Sequence, residues 1–503
     1  MSALTRRSFL LSASALSLTA AHPALAVGET TPFTRDDVVA RARALAERPY
    51  RARHQVPQDW RDMSYDEYQS FRFMLPRALW ADTNRSYNVD FFLPGLYFPR
   101  PVKIHAVEDG VDRLVPFDIS KFKTHEISPE LSDDASLGYS GLRLRTDLKG
   151  NGKKTEFCVF QGASYFRAIA TGQAYGLSAR GLALKTADPE GEEFPDFISF
   201  WLEAPGPDQE NMVVHALMDS PSVTGAYRFD ITPGMPCTME VEATLFPRED
   251  LTHAGLAPLT SMFLFDATNR NRFDDFRPAV HDSEGLQVKN GNDEVLWRPL
   301  ANPTHLQVSS FVDENPAGFG LVQRASELRD FNDMEAFYHR RPSLWVEPKG
   351  HWGKGAVTLV EIPADKEIYD NIVAYWRPAT PYPAGEQVDL AYRLTWGPGP
   401  DLGLSKVVET TSGARIFGGE GRIVTVEYAA HPLLEGDPED YAIHISSPHA
   451  EVSEGVLQRN PETGGLRLAF YFDPGEKTHV ELRAQLRRDG AAASEVWLYR
   501  WTV

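Results

Sequence analysis

Tyr338, Trp345, Trp352, Tyr375 and Trp376 crowd into one stretch of this chain, with Asp, Glu and Arg residues, Arg340 among them, interleaved and flanking it. Flat aromatic faces beside forked polar side chains are what a sugar-binding cleft uses. The ring covers the apolar face of a pyranose and the fork takes its hydroxyls. The same aromatics could equally fill a sandwich core, which is the commoner place for any single tryptophan. Composition alone leaves both readings open.

Other chemistries fail on spacing. Gly138-Tyr139-Ser140-Gly141 does not have the spacing of a nucleophile elbow. The chain has no HExxH, its 14 histidines are scattered without ligand spacing, and its two cysteines form no CxxC pair. No metal and no cofactor is therefore expected. Gly150-Asn151-Gly152-Lys153-Lys154-Thr155 lacks the gap of a phosphate loop and reads as a hairpin turn. Asp266 to Asn271 lacks the central glycine and terminal glutamate of a calcium loop.

The elements that would position a cleft are mostly strands. Met239, Val241, Ala243 and Leu245 alternate with polar neighbours, as do Val388, Leu390, Tyr392, Leu394 and Trp396. A period of two puts one face in a core and one in water. Helices are few. Thr34, with Asp37 three residues on, opens one that carries Val38, Val39, Ala42 and Leu45 and closes before Pro49, and Ser64 caps a second through Tyr68. Gly397-Pro398-Gly399-Pro400 cannot continue a ladder and marks a linker over residues 397–403. Beyond it lie strands at Ile423–Tyr428, Leu466–Phe472, Val480–Leu486 and Val496–Trp501. The expected fold is all-β: a large sandwich over residues 27–396 and an immunoglobulin-like sandwich over 404–503.

The first residues carry an address. Thr5-Arg6-Arg7-Ser8-Phe9-Leu10, an apolar run to Ala21 and Ala24-Leu25-Ala26 form a twin-arginine signal peptide with cleavage after Ala26. The expected location is the periplasm. The chain carries a net charge of −19, and loss of Arg6 and Arg7 makes it more negative. Such a chain repels nucleic acid and anionic membrane, and no later segment is apolar and long enough to span a bilayer. A homodimer is compatible with the sequence. Passage of a folded chain from a reducing cytosol argues against dependence on a Cys158–Cys237 bridge.

Several stretches carry a resemblance. They include Tyr65-Asp66-Glu67-Tyr68, Arg272-Phe273-Asp274-Asp275-Phe276-Arg277-Pro278, His281-Asp282-Ser283-Glu284-Gly285-Leu286, Arg340-Arg341-Pro342-Ser343-Leu344-Trp345 and Asp370-Asn371-Ile372-Val373-Ala374. Over essentially the whole mature length the chain resembles the periplasmic glucan biosynthesis family OpgG/OpgD, also called MdoG/MdoD. Its twin-arginine signal is more like the D member. The resemblance implies a sandwich similar to galactose mutarotase in the larger unit. It implies a role in making osmoregulated periplasmic glucans, with β-1,2-glucan as the partner. It also implies an inverting endo-β-1,2-glucanase, a glycoside hydrolase activity, as in some members. A non-hydrolytic glucan-binding factor and a transglycosylase remain the alternatives.

Residue by residue, the resemblance matches the catalytic aspartates to Asp282 and Asp370, and substrate-binding residues to Tyr338 and Glu367. His281, Arg340, Trp345 and Trp352 complete the candidate set. Inverting hydrolysis needs one protonated carboxyl and one carboxylate, about 6.5–9.5 Å apart. Ile368, Ile372 and Val373 near Asp370 favour the neutral acid there, and His281 and Ser283 beside Asp282 could donate to an ionised base. Sequence neighbours on a strand point to opposite faces, so the roles can be reversed.

Overall fold

The computed structural model describes residues 31–416 and 420–503. The export signature lies outside them. Strands dominate and the fold is an all-β sandwich. Two large sheets, of sixteen and ten strands among the described residues, face each other. The core between them is aromatic. Phe160 and Phe166 of the smaller sheet meet Phe229 of the larger at centroid distances of 5.2 and 5.1 Å, and Phe166 meets Trp396 at 6.1 Å.

Local signals explain the elements. Strand Cys237–Pro247 runs between Val223–Thr232 and Val388–Gly397, and its apolar set Met239, Val241, Ala243 and Leu245 is buried. Helix Arg35–Ala46 starts where the Asp37 carboxylate accepts from the Thr34 backbone N–H at 2.6 Å and hydroxyl at 2.8 Å. It lays Val38 and Ala42 on the outer face of the large sheet, against Trp201 and Phe246. Helix Tyr65–Ser70 has the reciprocal box between Ser64 and Glu67. Gly150-Asn151-Gly152 is a turn folded over the Asp147 carboxylate. The Asp266 carboxylate accepts from Thr268 in a turn of its own. Cys158 and Cys237 are free and buried.

Residues 398–406 contain no strand, and we read this connection as the boundary between two units. A second core cluster holds Val424, Val426, Leu468, Phe470, Leu482 and Trp497 and also takes in Trp297 and Val322 from before the boundary. The second unit's strands at Arg422–Tyr428, Leu466–Phe472, His479–Arg488 and Val496–Thr502 lie within two residues of the positions the alternation predicts. The large sheet nevertheless continues across this boundary in space. Strand Val295–Pro299 pairs in parallel with Val496–Thr502. No stretch of sequence near residue 400 encodes that junction.

A buried ion pair locks the junction. Arg324 donates to both oxygens of Glu495, at 2.5 and 2.9 Å, and to the Val407 carbonyl. Its guanidinium lies 3.4 Å over the Trp297 ring. Glu495 also accepts from the Val407 N–H at 2.7 Å. Removing one partner of a buried pair strands the other charge. Glu495→Ala should therefore cost about 3–5 kcal/mol of unfolding free energy. The double replacement Arg324→Met with Glu495→Leu should recover most of that loss. Urea unfolding midpoints check both, and a loss below about 1 kcal/mol for the single variant would mean the pair is not desolvated.

Candidate functional site

Strand Ala254–Ser261 runs into a short strand Phe263–Phe265, which pairs with Val280–His281. Two segments far apart in sequence hang from the intervening turn. The Asp282 N–H donates to the Met262 carbonyl at 2.8 Å, and the Ser283 and Ser261 hydroxyls lie 2.8 Å apart. From the other side, the Asn371 N–H donates to the Ser261 carbonyl at 3.0 Å. The Asn371 amide brackets Phe263, accepting from its N–H at 2.8 Å and donating to its carbonyl at 2.9 Å. Residues 261–263 thus fix the backbone of both Asp282 and the Asp370–Asn371 step.

Arg341 joins the side chains. It donates to the Asp282 carboxylate and, at 3.2 Å, to the Ala336 carbonyl. Its guanidinium lies 4.2 Å over the Tyr338 ring. Burial, with Arg167 nearby, pulls Arg341 down to about 10, against the opposing pull of the Glu367 and Asp370 carboxylates. It remains a full cation at neutral pH. Gly176 makes room for it: a Cβ there would sit 3.0 Å from the Arg341 stem.

The two aspartates have opposite settings. Asp282 is buried against Arg341, whereas Asp370 is open to water and meets only Arg167, at 3.6 Å. Glu367 binds Arg277 at 2.7 Å, and Arg277 also binds Asp275 and Asp333, each at 2.8 Å. Burial raises the Tyr338 phenol, and the Glu367 carboxylate beside it adds to that, so the hydroxyl keeps its proton. Asp282, Asp370, Tyr338 and Glu367 therefore gather around Arg341.

Other expectations need correction. His281 and Ser283 do not supply Asp282 with its donors. His281 Nδ1 is 2.9 Å from Gln323 Oε1 with its ring stacked on Phe263, and Ser283 turns to Ser261. The donor is Arg341, which only tertiary contact brings there. Ile368 is exposed and Ile372 and Val373 are buried in the core, yet Asp370 itself is open to water, so the three make no apolar shell over it. Trp345 packs over Gly318 and Gly320, and Trp352 packs against Trp376 and Tyr392. These tryptophans are core residues, the bland reading of the aromatic stretch. Arg340 points out over the Phe337 ring, 5.0 Å away, while its neighbour Arg341 points in. The exposed rings and apolar chains lie elsewhere: Phe276, Met334, Phe337, Ile368 and Tyr369 sit on the segments that Arg277 ties together. Phe337 holds a left-handed backbone at φ 50°, a costly conformation for a bulky residue. Sequence reasoning missed Arg341, Arg167, Arg277 and this rim. The Arg340-Arg341 pair was visible, but not which of the two turns inward.

The family model described as "Periplasmic glucan biosynthesis protein, MdoG" matches residues 33–501. The chain belongs to this family. Glucans biosynthesis protein G of Vibrio cholerae serotype O1 is 47% identical over 483 residues, covering 94% of this chain and 88% of the relative. Glucans biosynthesis protein G 1 of Shewanella oneidensis is 46% identical over 481 residues, with the same coverage. Both carry the G name, while the signature that favours the D member lies in residues 1–26. Membership of the MdoG family implies a periplasmic location and a role in glucan biosynthesis. Among the described residues no helix is long and apolar enough to cross a membrane, and no cluster of His, Cys, Asp and Glu could hold a metal.

The buried histidine beside the site gives a pH signature. Burial lowers His281 from 6.5 to about 4, opposed by the Gln323 hydrogen bond and reinforced by Arg341. The unfolded chain takes up this proton near 6.5 and the folded chain only near 4. Protonation therefore favours unfolding, and this contribution to stability is lost as pH falls through that window. His281→Gln removes the titration. Its destabilisation relative to wild type should be smaller at about pH 4.5 than at about pH 7.5, by roughly 2–3 kcal/mol. Denaturant melts at the two pH values measure this, and an equal difference at both would mean that His281 titrates normally.

Proposed function

We propose that the protein, exported by the twin-arginine route, cleaves the β-1,2-linked glucose backbone of periplasmic glucans by inverting hydrolysis. The observation that carries this reading is the pair of aspartates held by one turn in opposite environments. Asp282, whose carboxylate is ion-paired to the Arg341 guanidinium, suits the base that activates water. Asp370, exposed to solvent where a sugar can reach it, suits the acid that meets the leaving oxygen. The half-exposed Glu367 carboxylate is placed to meet sugar hydroxyls, with the buried Tyr338 packed beneath it. Tyr369, Phe276 and Phe337 offer faces for the rings, taking the part that Trp345 and Trp352 do not.

A second reading is a factor that binds and guides the growing glucan without cutting it. The names of the two relatives, which speak of biosynthesis, favour it. The test is a reducing-end assay on linear β-1,2-glucan beside a binding titration. If the protein is a glucanase, Asp370→Asn should cut the rate by about 10²–10⁴-fold and leave binding nearly intact, because the amide keeps the shape but delivers no proton. Asp282→Asn should also stop cleavage. It leaves Arg341 without its partner, so its melting temperature is read alongside. A binder gives no cleavage in any form. Cleavage that survives both substitutions would place the chemistry elsewhere.

A further inference from the structure

Strand Gln307–Glu314 forms one edge of the smaller sheet. It pairs with Lys354–Glu361 on one side only. Its free side faces strands His479–Arg488 and Val496–Thr502 of the second unit across a cleft. The inner part of that cleft is a cavity of about 350 Å³ lined by Arg298, Ser309, Phe311, Ser446, Arg483 and Arg500. A second cavity of about 720 Å³ shares Val308, Glu481 and Arg500 with it and extends past His449 and His479. Both volumes fall in the range of small-molecule sites, about 300–1,000 Å³.

Three features of the inner cleft point to one class of ligand. First, Ser309 is 8% exposed, yet its hydroxyl is buried and has no hydrogen-bond partner. A buried polar atom of this kind needs a partner, and Ser309 is one of the residues that line the cleft. Second, the charged groups cancel in pairs: Arg298 with Glu361 at 3.2 Å, Arg500 with Glu481, and Arg483 with Glu294. The cleft therefore offers rigid forks of donors and acceptors with no net charge, which suits neutral hydroxyls better than a phosphate or a cation. Third, Phe311 lines the inner cavity, and the His449–His479 pair, with centroids 5.1 Å apart, lines the second. Hydroxyl-sized forks beside flat rings are the chemistry of a saccharide.

We infer that this cleft between the two units is a second saccharide site, which holds a run of neutral glucan away from the carboxylates. The inference rests on reading the protein as one that acts on glucan. The edge strand pairs with the first strand of the hairpin Lys354–Glu361 and Ile372–Pro378, and the connection of that hairpin carries Glu367 and Asp370. A long glucan can then engage both sites on one molecule, and linked sites bind more tightly than either alone.

The test uses the mature full-length chain. Asp370→Asn protein, which holds glucan without cutting it, is titrated calorimetrically with linear β-1,2-gluco-oligosaccharides. Two sites per chain are expected. Ser310→Trp, at an exposed position in the cleft mouth, and Arg483→Ala should each remove one site and keep the other. In the otherwise unaltered chain they should raise the KM for long glucan by at least about tenfold, with kcat and the KM for short oligosaccharides unchanged. One site per chain, unaffected by either substitution, would overturn the inference while leaving cleavage at the carboxylates intact. No glucan bound anywhere would overturn the functional reading and this inference together. If Ser310→Trp changes the association state in sedimentation and leaves glucan binding untouched, the edge strand meets another protein and the saccharide assignment fails.

Discussion

The hydrogen bonds made by residues 261–263 are the constraint on which the site depends. Met262 holds the backbone of Asp282, Ser261 holds Ser283 and Asn371, and Phe263 is bracketed by the Asn371 amide. These groups are buried, so each lost bond would leave an unmet polar atom in a dry environment. The two aspartates come from remote parts of the chain and from different strand pairs. A shared backbone brace holds both segments to residues 261–263. The side chains remain free to take different solvent environments, and general acid–base chemistry requires that difference.

Around the brace, arginines organise the acids. Arg341 pairs with Asp282, Arg167 with Asp370, and Arg277 gathers Asp275, Asp333 and Glu367. In a chain of net charge −19 this is a local concentration of cations. It offsets the repulsion that these five carboxylates would otherwise feel. Arg341 also stacks on Tyr338, so the same guanidinium covers a ring and holds the Asp282 carboxylate. Lysine could not do both, because it lacks the planar fork.

The two units are more tightly joined than a linker suggests. The parallel pairing of Val295–Pro299 with Val496–Thr502 and the Arg324–Glu495 pair fix their relation. Arg324 follows Gln323, which receives His281 Nδ1 and donates to the Tyr338 carbonyl. The Glu284 carboxylate accepts from the Arg324 and Ala325 N–H groups at 3.1 Å and is pushed up to about 7 by burial. Contacts from the second unit thus run without a break to the residues that flank Asp282.

Local sequence carried much of this. Alternation at Met239–Leu245 and Tyr392–Trp396, the caps at Thr34 and Ser64, and the hairpin turn at Gly150–Gly152 all depend on residues close in the chain. Their periodicity and turn chemistry could therefore be read directly. The family motifs also marked Asp282, Asp370, Tyr338 and Glu367. Tertiary structure alone decided the rest. It chose Arg341 over Arg340, sent His281 to Gln323, buried Trp345 and Trp352, exposed Tyr369 and Phe276, and carried one sheet across both units. Each of these depends on which distant group a side chain meets after the sheets pair. A residue's type states what it can bond to, but the long-range register of strands determines whether the partner is there.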